Sequence, residues 1–338
     1  HQRRLEPKTW GAKMRRLWGM WKLWVLATAL LGLQDVALGQ SWPSKTIRVV
    51  VPFSAGSATD IIARAIFDKV SAEVRQPIII ENKVGAGGTI GSADVARSEP
   101  DGHTILLNSS SHTVTPATYA SLPYDTLNDF AAIIPVGSLP NVLIVSKTKG
   151  YNTLKDLVEA AKAKPGSLNY GSAGPGSASH LTAERLRLSA KFEAVHVPFK
   201  GAPEVLREVV ADRIDFYFSP LLPARSLLAT GQLKAIAVSS GKRAAALKDV
   251  PTTVEAGVPN SNYEFWVGVF VPAKTPKSIQ ERLYAEIKKA LDSSEIKERM
   301  SKLGADPMPM TSAEFTKLVR DEVAMNKALV KAAGIKPN

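Results

Sequence analysis

A repeated unit of apolar run, small-residue loop and amphipathic segment constrains this 338-residue chain most strongly. Residues 47–51 are mostly β-branched and predict a buried strand, residues 54–59 form a small polar turn, and residues 61–70 follow helical spacing. Further units begin at residues 77–80 and 104–107, the latter followed by a polar loop over 108–113. Strands that alternate with helices predict an α/β fold with mostly parallel sheets.

The second half of the chain continues the same alternation. We predict strands at 142–145, 195–198, 214–218 and 234–238, a crossing strand at 265–271, and helices at 154–163, about 179–189, 204–211, 277–293 and 312–333. No low-complexity segment or long linker separates these elements. Two lobes joined by short strand crossovers therefore fit the pattern better than two tethered domains.

The N-terminal segment has the three parts of a secretory signal. A basic stretch from Arg15 to Lys22 precedes the apolar residues 23–33, and the small-x-small sequence 37–39 follows them. The apolar part is shorter than the roughly 20 residues that span a bilayer, which disfavours the alternative of a membrane anchor. We predict cleavage after Gly39 and a periplasmic mature chain, and we interpret residues 1–13 as an upstream extension.

The charge and the cysteine content narrow the function classes. The net charge is +12, of which +5 falls in residues 1–39, and the remaining charges of both signs are interleaved. This pattern predicts a solvated surface with a mild positive bias, which suits an anionic ligand and not nucleic acid. The absence of cysteine excludes disulfides, thiol catalysis and iron–sulfur clusters.

Three loops of small residues, 54–59, 85–88 and 171–177, follow predicted strands. Loops at the carboxyl ends of parallel strands line the ligand crevice of open α/β sheets. Small residues allow backbone amides to approach a ligand, and helix N-termini add partial positive charge. The loops therefore predict a site that binds an anion through backbone amides and helix N-termini, without a formal positive charge.

Other chemistries find little support. Residues 85–91 resemble a dinucleotide fingerprint but have Ile90 where its third glycine is needed. No Gly-x-Ser-x-Gly element marks a hydrolase, and His180, three residues after Ser177, is interpreted as a capping or packing residue. No ligand spacing indicates a metal. We expect no cofactor, no metal and no catalysis; Trp266 is either a core residue or a wall of the cleft.

Taken together, the loops resemble those of the Bug family, the extracytoplasmic receptors of tripartite tricarboxylate transporters. The segments that carry the resemblance extend from about residue 42 to residue 336; they are residues 52–64, 81–91, 100–104, 170–181, 198–201, 250–257 and 266–273.

The resemblance implies a two-lobed periplasmic-binding-protein fold of the Venus-flytrap type, with one lobe from 40–141 plus 265–338 and the other from 142–264. It further implies a monomeric receptor that captures a small carboxylate between its lobes and delivers it to membrane transporter subunits. A sensor that signals to a membrane kinase and an exported hydrolase are the alternatives.

The resemblance also implies which residues bind the ligand: Phe53, Ser54, Ala55, Gly56, Ser57, Asp60, Gly88, Ser172, Ala173, Ser177, His180 and Lys200. A carboxylate beside a bound anion would repel it, so we expect Asp60 to cap its helix or to orient a water. Ser57 stands where the family usually has a second glycine, and a non-glycine residue disfavours positive φ.

Overall fold

The computed structural model describes residues 42–332 and 336–337. The chain divides into two compact units, His1–Ser44 and Lys45–Asn338, and of the first unit only residues 42–44 are described, as irregular chain. The predicted signal peptide and its cleavage site therefore lie outside the described residues. Within the described part, no helix combines the length and the apolar character needed to cross a membrane.

Ten strands and ten α-helices are found in the described part of the second unit. The strands are β1 (Ile47–Val51), β2 (Ile78–Asn82), β3 (Thr104–Ser109), β4 (Phe130–Leu139), β5 (Asn141–Ser146), β6 (Asn169–Ser172), β7 (Val195–Pro198), β8 (Phe216–Pro220), β9 (Leu233–Val238) and β10 (Phe265–Pro272). The helices are α1 (Ala58–Val74), α2 (Thr89–Ala96), α3 (Ser111–Thr118), α4 (Leu154–Ala163), α5 (Ala178–Ala190), α6 (Ala202–Val210), α7 (Leu221–Ala229), α8 (Lys277–Asp292), α9 (Ser294–Leu303) and α10 (Ser312–Ala332).

The strands form two five-stranded sheets, in the orders β2-β1-β3-β10-β4 and β7-β6-β8-β5-β9. The α/β prediction is confirmed, and each sheet is mixed: four of its five strands run in one direction, and one strand, β10 or β5, runs against them. The pairs β1–β2, β1–β3, β6–β7 and β6–β8 are parallel, whereas β10 and β5 pair antiparallel with both of their neighbours. The two reversed strands, β5 and β10, are the first strands that the chain forms after each crossing from one sheet to the other.

The two sheets repeat one arrangement. In the first, β1 lies between the parallel strands β2 and β3; β10 then runs against them, and β4 runs against β10. In the second, β6 lies between the parallel strands β7 and β8; β5 then runs against them, and β9 runs against β5. The loops after β1 and β6 therefore occupy equivalent positions, each leading into a helix.

Apolar side chains fill the space between each sheet and its helices. Trp266 is 1% exposed and packs edge-on against Phe315 of α10, with ring centroids 5.2 Å apart, inside a cluster that includes Val50 and Leu106. The core interpretation of Trp266 is thus confirmed. Its neighbour Phe265 is the residue of β10 that reaches the cleft.

Four elements have no clear sequence signal and were not predicted: β4, α3, α7 and α9. Strand β4 contains Pro135, and its residues 133–137 are all buried, so its sequence shows no alternation of apolar and polar residues. Helix α3 contains Pro116 and consists largely of hydroxyl and small residues, so the segment that begins at Ser111 resembles a polar loop.

Candidate ligand-binding site

The loop between β1 and α1 is built around a tight turn. The amide of Ser57 donates to the carbonyl of Ser54 at 3.0 Å, and Gly56 takes the positive φ of 79°. Ser57 has a φ of −67° and caps α1, because its hydroxyl accepts from the amide of Asp60 at 3.3 Å. The turn places its left-handed residue at Gly56, so the serine that replaces the second glycine fits without backbone strain.

Asp60 lies behind this loop and faces its own backbone. Its carboxylate accepts from the amide of Gly56 at 2.9 Å, from Asn82 Nδ2 at 3.0 Å and from Arg64 Nε at 3.1 Å. Burial alone would raise the pKa of Asp60, but the hydrogen bonds from Arg64, Gly56 and Asn82 outweigh it and lower the pKa. Asp60 is therefore an ionised residue that holds the turn and is already neutralised by Arg64.

The loop between β6 and α5 has the same geometry. Gly176 takes a φ of 73°, and the amide of Ser177 donates to the carbonyl of Gly174 at 3.1 Å. The hydroxyl of Ser177 accepts from the amide of His180 at 3.3 Å, and His180 Nδ1 accepts from the amide of Gly176 at 3.3 Å. His180 thus takes the place that Asp60 has in the first loop, as the capping residue expected from the sequence.

A buried aromatic stack stands behind the second loop. The rings of His180 and His196 are parallel, with centroids 4.0 Å apart, and burial lowers the pKa of both, that of His196 to about 3. Ser172 Oγ lies 2.5 Å from His196 Nε2 and also bonds to the backbone of Gly174. Both imidazoles are therefore neutral at physiological pH and support the loop as hydrogen-bonding partners.

A cavity of about 30 Å³ lies between the two loops. None of its lining side chains carries a charge: they are Phe53, Ser57, Ala58, Thr59, Ser109, Ser111, Ala173, Ser177, Ala178, Ser179, Ala202, Tyr217, Pro220 and Phe265. The amides of Ala58 and Thr59, in the first turn of α1, donate to no acceptor among the described residues. The N-terminus of α1 with its unpaired donors, the N-terminus of α5 and several hydroxyls therefore converge on one small space, an arrangement that favours an anion.

Side chains and backbone from the two sheets touch across this space. Ser54 Oγ donates to Glu204 Oε1 at 2.8 Å, and the amide of Ala178 donates to Ser111 Oγ at 2.7 Å. Tyr119 from the first lobe also donates its hydroxyl to the carbonyl of Pro175 at 2.9 Å. These contacts hold the loops together around the cavity.

The structure brings four of the expected ligand-binding residues to the cavity wall: Phe53, Ser57, Ala173 and Ser177. It places the other eight around it. Ser54 joins the lobes, Gly88 packs against Phe53, Ala55 and Gly56 lie exposed in the loop, Asp60, Ser172 and His180 are buried behind the loops, and Lys200 is exposed.

Sequence reasoning missed ten lining residues: Ala58, Thr59, Ser109, Ser111, Ala178, Ser179, Ala202, Tyr217, Pro220 and Phe265. A signal existed for some of them. Ala58 and Thr59 directly follow the N-cap of α1, and Ala178 and Ser179 directly follow that of α5, so their amides must point out of the helix ends.

Comparison with known proteins identifies the family to which a chain with this site belongs. The model of the tripartite tricarboxylate transporter family receptor matches residues 62–335. The chain belongs to this family. The receptor is 31% identical over 317 residues to the protein BugT of Bordetella pertussis, covering 92% of this chain and 95% of BugT. The identification as a Bug-family member from the sequence is confirmed.

Solved structures of similar proteins have the same fold as this tripartite-transporter receptor. The Rhodopseudomonas palustris protein Rpa4515, determined with adipate, superposes with a TM-score of 0.84 at 31% identity, covering 88% of this chain and all of that one. MatC of the same organism, determined with bound malate, has a TM-score of 0.82 at 31% identity, covering 86% of this chain and all of that one.

Proposed function

We propose that this receptor captures a small dicarboxylate between its two lobes and passes it to the membrane subunits of a tripartite transporter. The observation that carries the proposal is the convergence of the α1 and α5 N-termini on a cavity without charged side chains. The adipate and malate named for Rpa4515 and MatC support a ligand with two carboxylates. The family description favours a transporter over a sensor kinase as the partner.

The ligand enters by separation of the lobes. A cavity of about 30 Å³ has room for only about two water molecules, far less than a six-carbon diacid. The lobes are residues 40–141 plus 265–338 and residues 142–264, connected where β4 leads into β5 and where β10 begins. Rotation at these connections would break the Ser54–Glu204 contact and expose the loop amides.

The ligand-binding set consists of the twelve residues expected from the sequence, together with the helix-end amides of Ala58 and Thr59. The lining residues contact the acid directly. Asp60, Ser172 and His180 act by holding the loops in place, and Lys200 contributes positive potential at the rim. The mature receptor is periplasmic and monomeric.

A hydrolytic role is disfavoured by the same geometry. The pair with nucleophile-and-base spacing, Ser172 and His196, is not at the cavity, and Ser172 is fully buried. The lining hydroxyl of Ser177 accepts the helix-cap hydrogen bond, and the neighbouring His180 Nδ1 is engaged by the amide of Gly176. Neither serine therefore has both access and an available base.

A thermal-shift and calorimetric titration tests the proposal. The panel comprises adipate, malate, an aromatic monocarboxylate and an amino acid, and a ligand at a hundred times its Kd should stabilise the receptor by about 2.7 kcal/mol. Native mass spectrometry of the purified receptor would identify a co-purified acid. Ester turnover that disappears in Ser172→Ala or Ser177→Ala, with no acid binding, would establish the hydrolase instead.

A further inference from the structure

A half-buried carboxyl group connects the outer helix of the first lobe to the cavity wall. Glu322 of α10 accepts from Trp266 Nε1 at 2.9 Å through Oε1 and contacts Thr113 Oγ1 at 2.9 Å through Oε2. Thr113 belongs to the first turn of α3, and Trp266 follows Phe265, which lines the cavity. Glu322 thus touches the β3–α3 segment and β10, two of the three segments through which the first lobe reaches the cavity.

The hydroxyl of Thr113 has more acceptors than it can serve. It lies 2.8 Å from the carbonyl of Ser110 and 2.9 Å from Glu322 Oε2, while Asn326 Nδ2 donates to it at 3.1 Å. A hydroxyl has one proton and two lone pairs. When Glu322 is ionised, that proton serves either the carboxylate or Ser110. If it serves the carboxylate, the carbonyl of Ser110 keeps only the 3.1 Å bond from the Thr113 amide, and the side-chain link between Thr113 and Ser110 is lost.

Protonation of Glu322 resolves this competition. The carboxyl proton then donates to Thr113 Oγ1, which also accepts from Asn326 and donates its own proton to the carbonyl of Ser110. Glu322 Oε1 remains the acceptor for Trp266. All hydrogen-bonding positions of the Thr113 hydroxyl are filled in this form.

Ser110 is held on its other side by the same network. Its amide donates to the carbonyl of Trp266 at 2.9 Å. Its neighbours Ser109 and Ser111 line the cavity, and Ser111 accepts the Ala178 amide from the second lobe. A change at Thr113 is therefore transmitted over two residues to the cavity wall and to a contact between the lobes.

We propose that Glu322 is a positioning residue that makes anion binding depend on protons: the protonated carboxyl aligns the Ser109–Ser111 wall for the ligand, and ionisation weakens binding. The proposal rests on the proposed function, because it takes the ligand to be a carboxylate in this cavity. Two effects have the same sign, since the ionised form weakens the link between Thr113 and Ser110 and also adds a half-buried negative charge to the lobe that binds an anion.

The charged surroundings of Glu322 support titration in the relevant range. Burial raises its pKa to about 7, against the hydrogen bonds from Trp266 and Thr113 and with the help of nearby Glu264. Tyr263 also interacts with Glu322, and Arg185 of the second lobe interacts with Tyr263. Strands β4 and β10 contain no titratable residue, and burial keeps His112, the only one in α3, neutral by lowering its pKa to about 3.

The size of the effect follows from linkage. If the bound acid raises the pKa of Glu322 by between one half and one unit, the affinity falls by about two- to fivefold as the pH rises from 6 to 8, toward a limit of about three- to tenfold at higher pH. The same pH change should move the indole N–H resonance of Trp266 in the absence of ligand.

The experiment compares the full chain with Glu322→Gln and Asp321→Asn. Glutamine retains the acceptor for Trp266 and supplies a donor for Thr113, so it mimics protonated Glu322. Asp321 is the adjacent, exposed residue of the same helix, paired only with Lys317, and is the matched control. The probes are adipate and malate, with Kd measured from pH 5.5 to 8.5, and the Trp266 resonance is identified by its loss in Trp266→Phe.

We expect the wild type and Asp321→Asn to lose affinity with rising pH, whereas Glu322→Gln keeps the acid-side affinity throughout. The Trp266 resonance should titrate near pH 7 in the first two and stay constant in Glu322→Gln. Equal pH profiles in the wild type and Glu322→Gln would overturn the proposal, as would a Trp266 resonance that does not titrate. If neither acid binds at any pH, the proposed function fails and the coupling fails with it, while the ligand-free titration still decides whether Glu322 ionises.

Discussion

Gly87 of the first lobe and Gly174 of the second approach each other so closely that a methyl group on Gly174 would lie 2.9 Å from the Gly87 nitrogen. A methyl group on Gly87 would lie 1.9 Å from the carbonyl oxygen of Pro175. Two backbones meet here without side chains between them. This contact sets how closely the loop at 85–88 and the loop at 171–177 can approach each other around a ligand.

Gly87→Ala should prevent full closure. The added methyl overlaps with backbone that cannot move aside, so we expect the affinity for the bound acid to fall by about ten- to a hundredfold. Titration calorimetry measures the affinity, and small-angle scattering should no longer show contraction on ligand addition. Gly150→Ala is the matched control, because Gly150 also has positive φ, 76°, but nothing within 4 Å of an added methyl. Equal losses of affinity in both variants would contradict a role in closure.

The caps of α1 and α5 should contribute to both stability and binding. Ser57→Ala and Ser177→Ala each remove a cap bond, so each should lower the free energy of unfolding by about 1 kcal/mol and weaken ligand binding about two- to tenfold. Ser293 caps α9 with the same 3.3 Å bond but lies outside the cavity. Ser293→Ala should therefore lose similar stability in urea denaturation and keep its affinity. An affinity loss in Ser293→Ala would contradict a specific role of the Ser57 and Ser177 caps in ligand binding.

Asp60 should stabilise the fold in a pH-dependent way. Its folded-state pKa is lowered, so its contribution is present above the unfolded value of about 4 and is lost as the pH falls through the folded value. Asp60→Asn should lower the free energy of unfolding at pH 7 by about 1.5–3 kcal/mol. The difference from the wild type should shrink at more acidic pH. Asp68→Asn, an exposed change on the same helix, is the control; a deficit in Asp60→Asn that does not depend on pH would contradict this account.

Glu204 should oppose anion binding while it joins the lobes. Its Oε1 accepts from Ser54, and its Oε2 is buried without a partner among the described residues. Glu204→Gln keeps an acceptor for Ser54 and removes the charge, so we expect the affinity to rise by about two- to fivefold at low salt. Glu208→Gln, one turn further along α6, should have no such effect. A weaker Glu204→Gln complex would show that the charge itself is needed for closure.

The sequence was most informative where local chemistry decides the structure. A run of small residues ahead of a helical pattern predicts a turn and a helix start, and the turns at Gly56 and Gly176 confirm this, whereas the N-cap roles of Ser57 and Ser177 were not predicted. Ser109 and Ser111 could not be assigned in this way. Their segment becomes a cavity wall only because α10 packs on α3, with Asn326 bonding to Thr113 across 213 positions of sequence.

The mixed character of the sheets was similarly out of reach of local patterns. Strand β10 has the apolar composition of a central strand, and it lies in the middle of its sheet. Its direction is fixed by the return of the chain from the other sheet and not by its residues. Glu322 likewise lies in an ordinary amphipathic helix pattern, and only packing shows that it is a half-buried acid bonded to Trp266.

The facing caps have one more consequence. Each helix end carries a partial charge of about +0.5, so α1 and α5 meet as two like poles. Without an anion between them they repel, and the resting form of an empty receptor is thereby pushed toward the open shape. The ligand acts as the counter-ion that removes this repulsion. A membrane partner that recognises the closed outline would then distinguish loaded receptors from empty ones without touching the cargo.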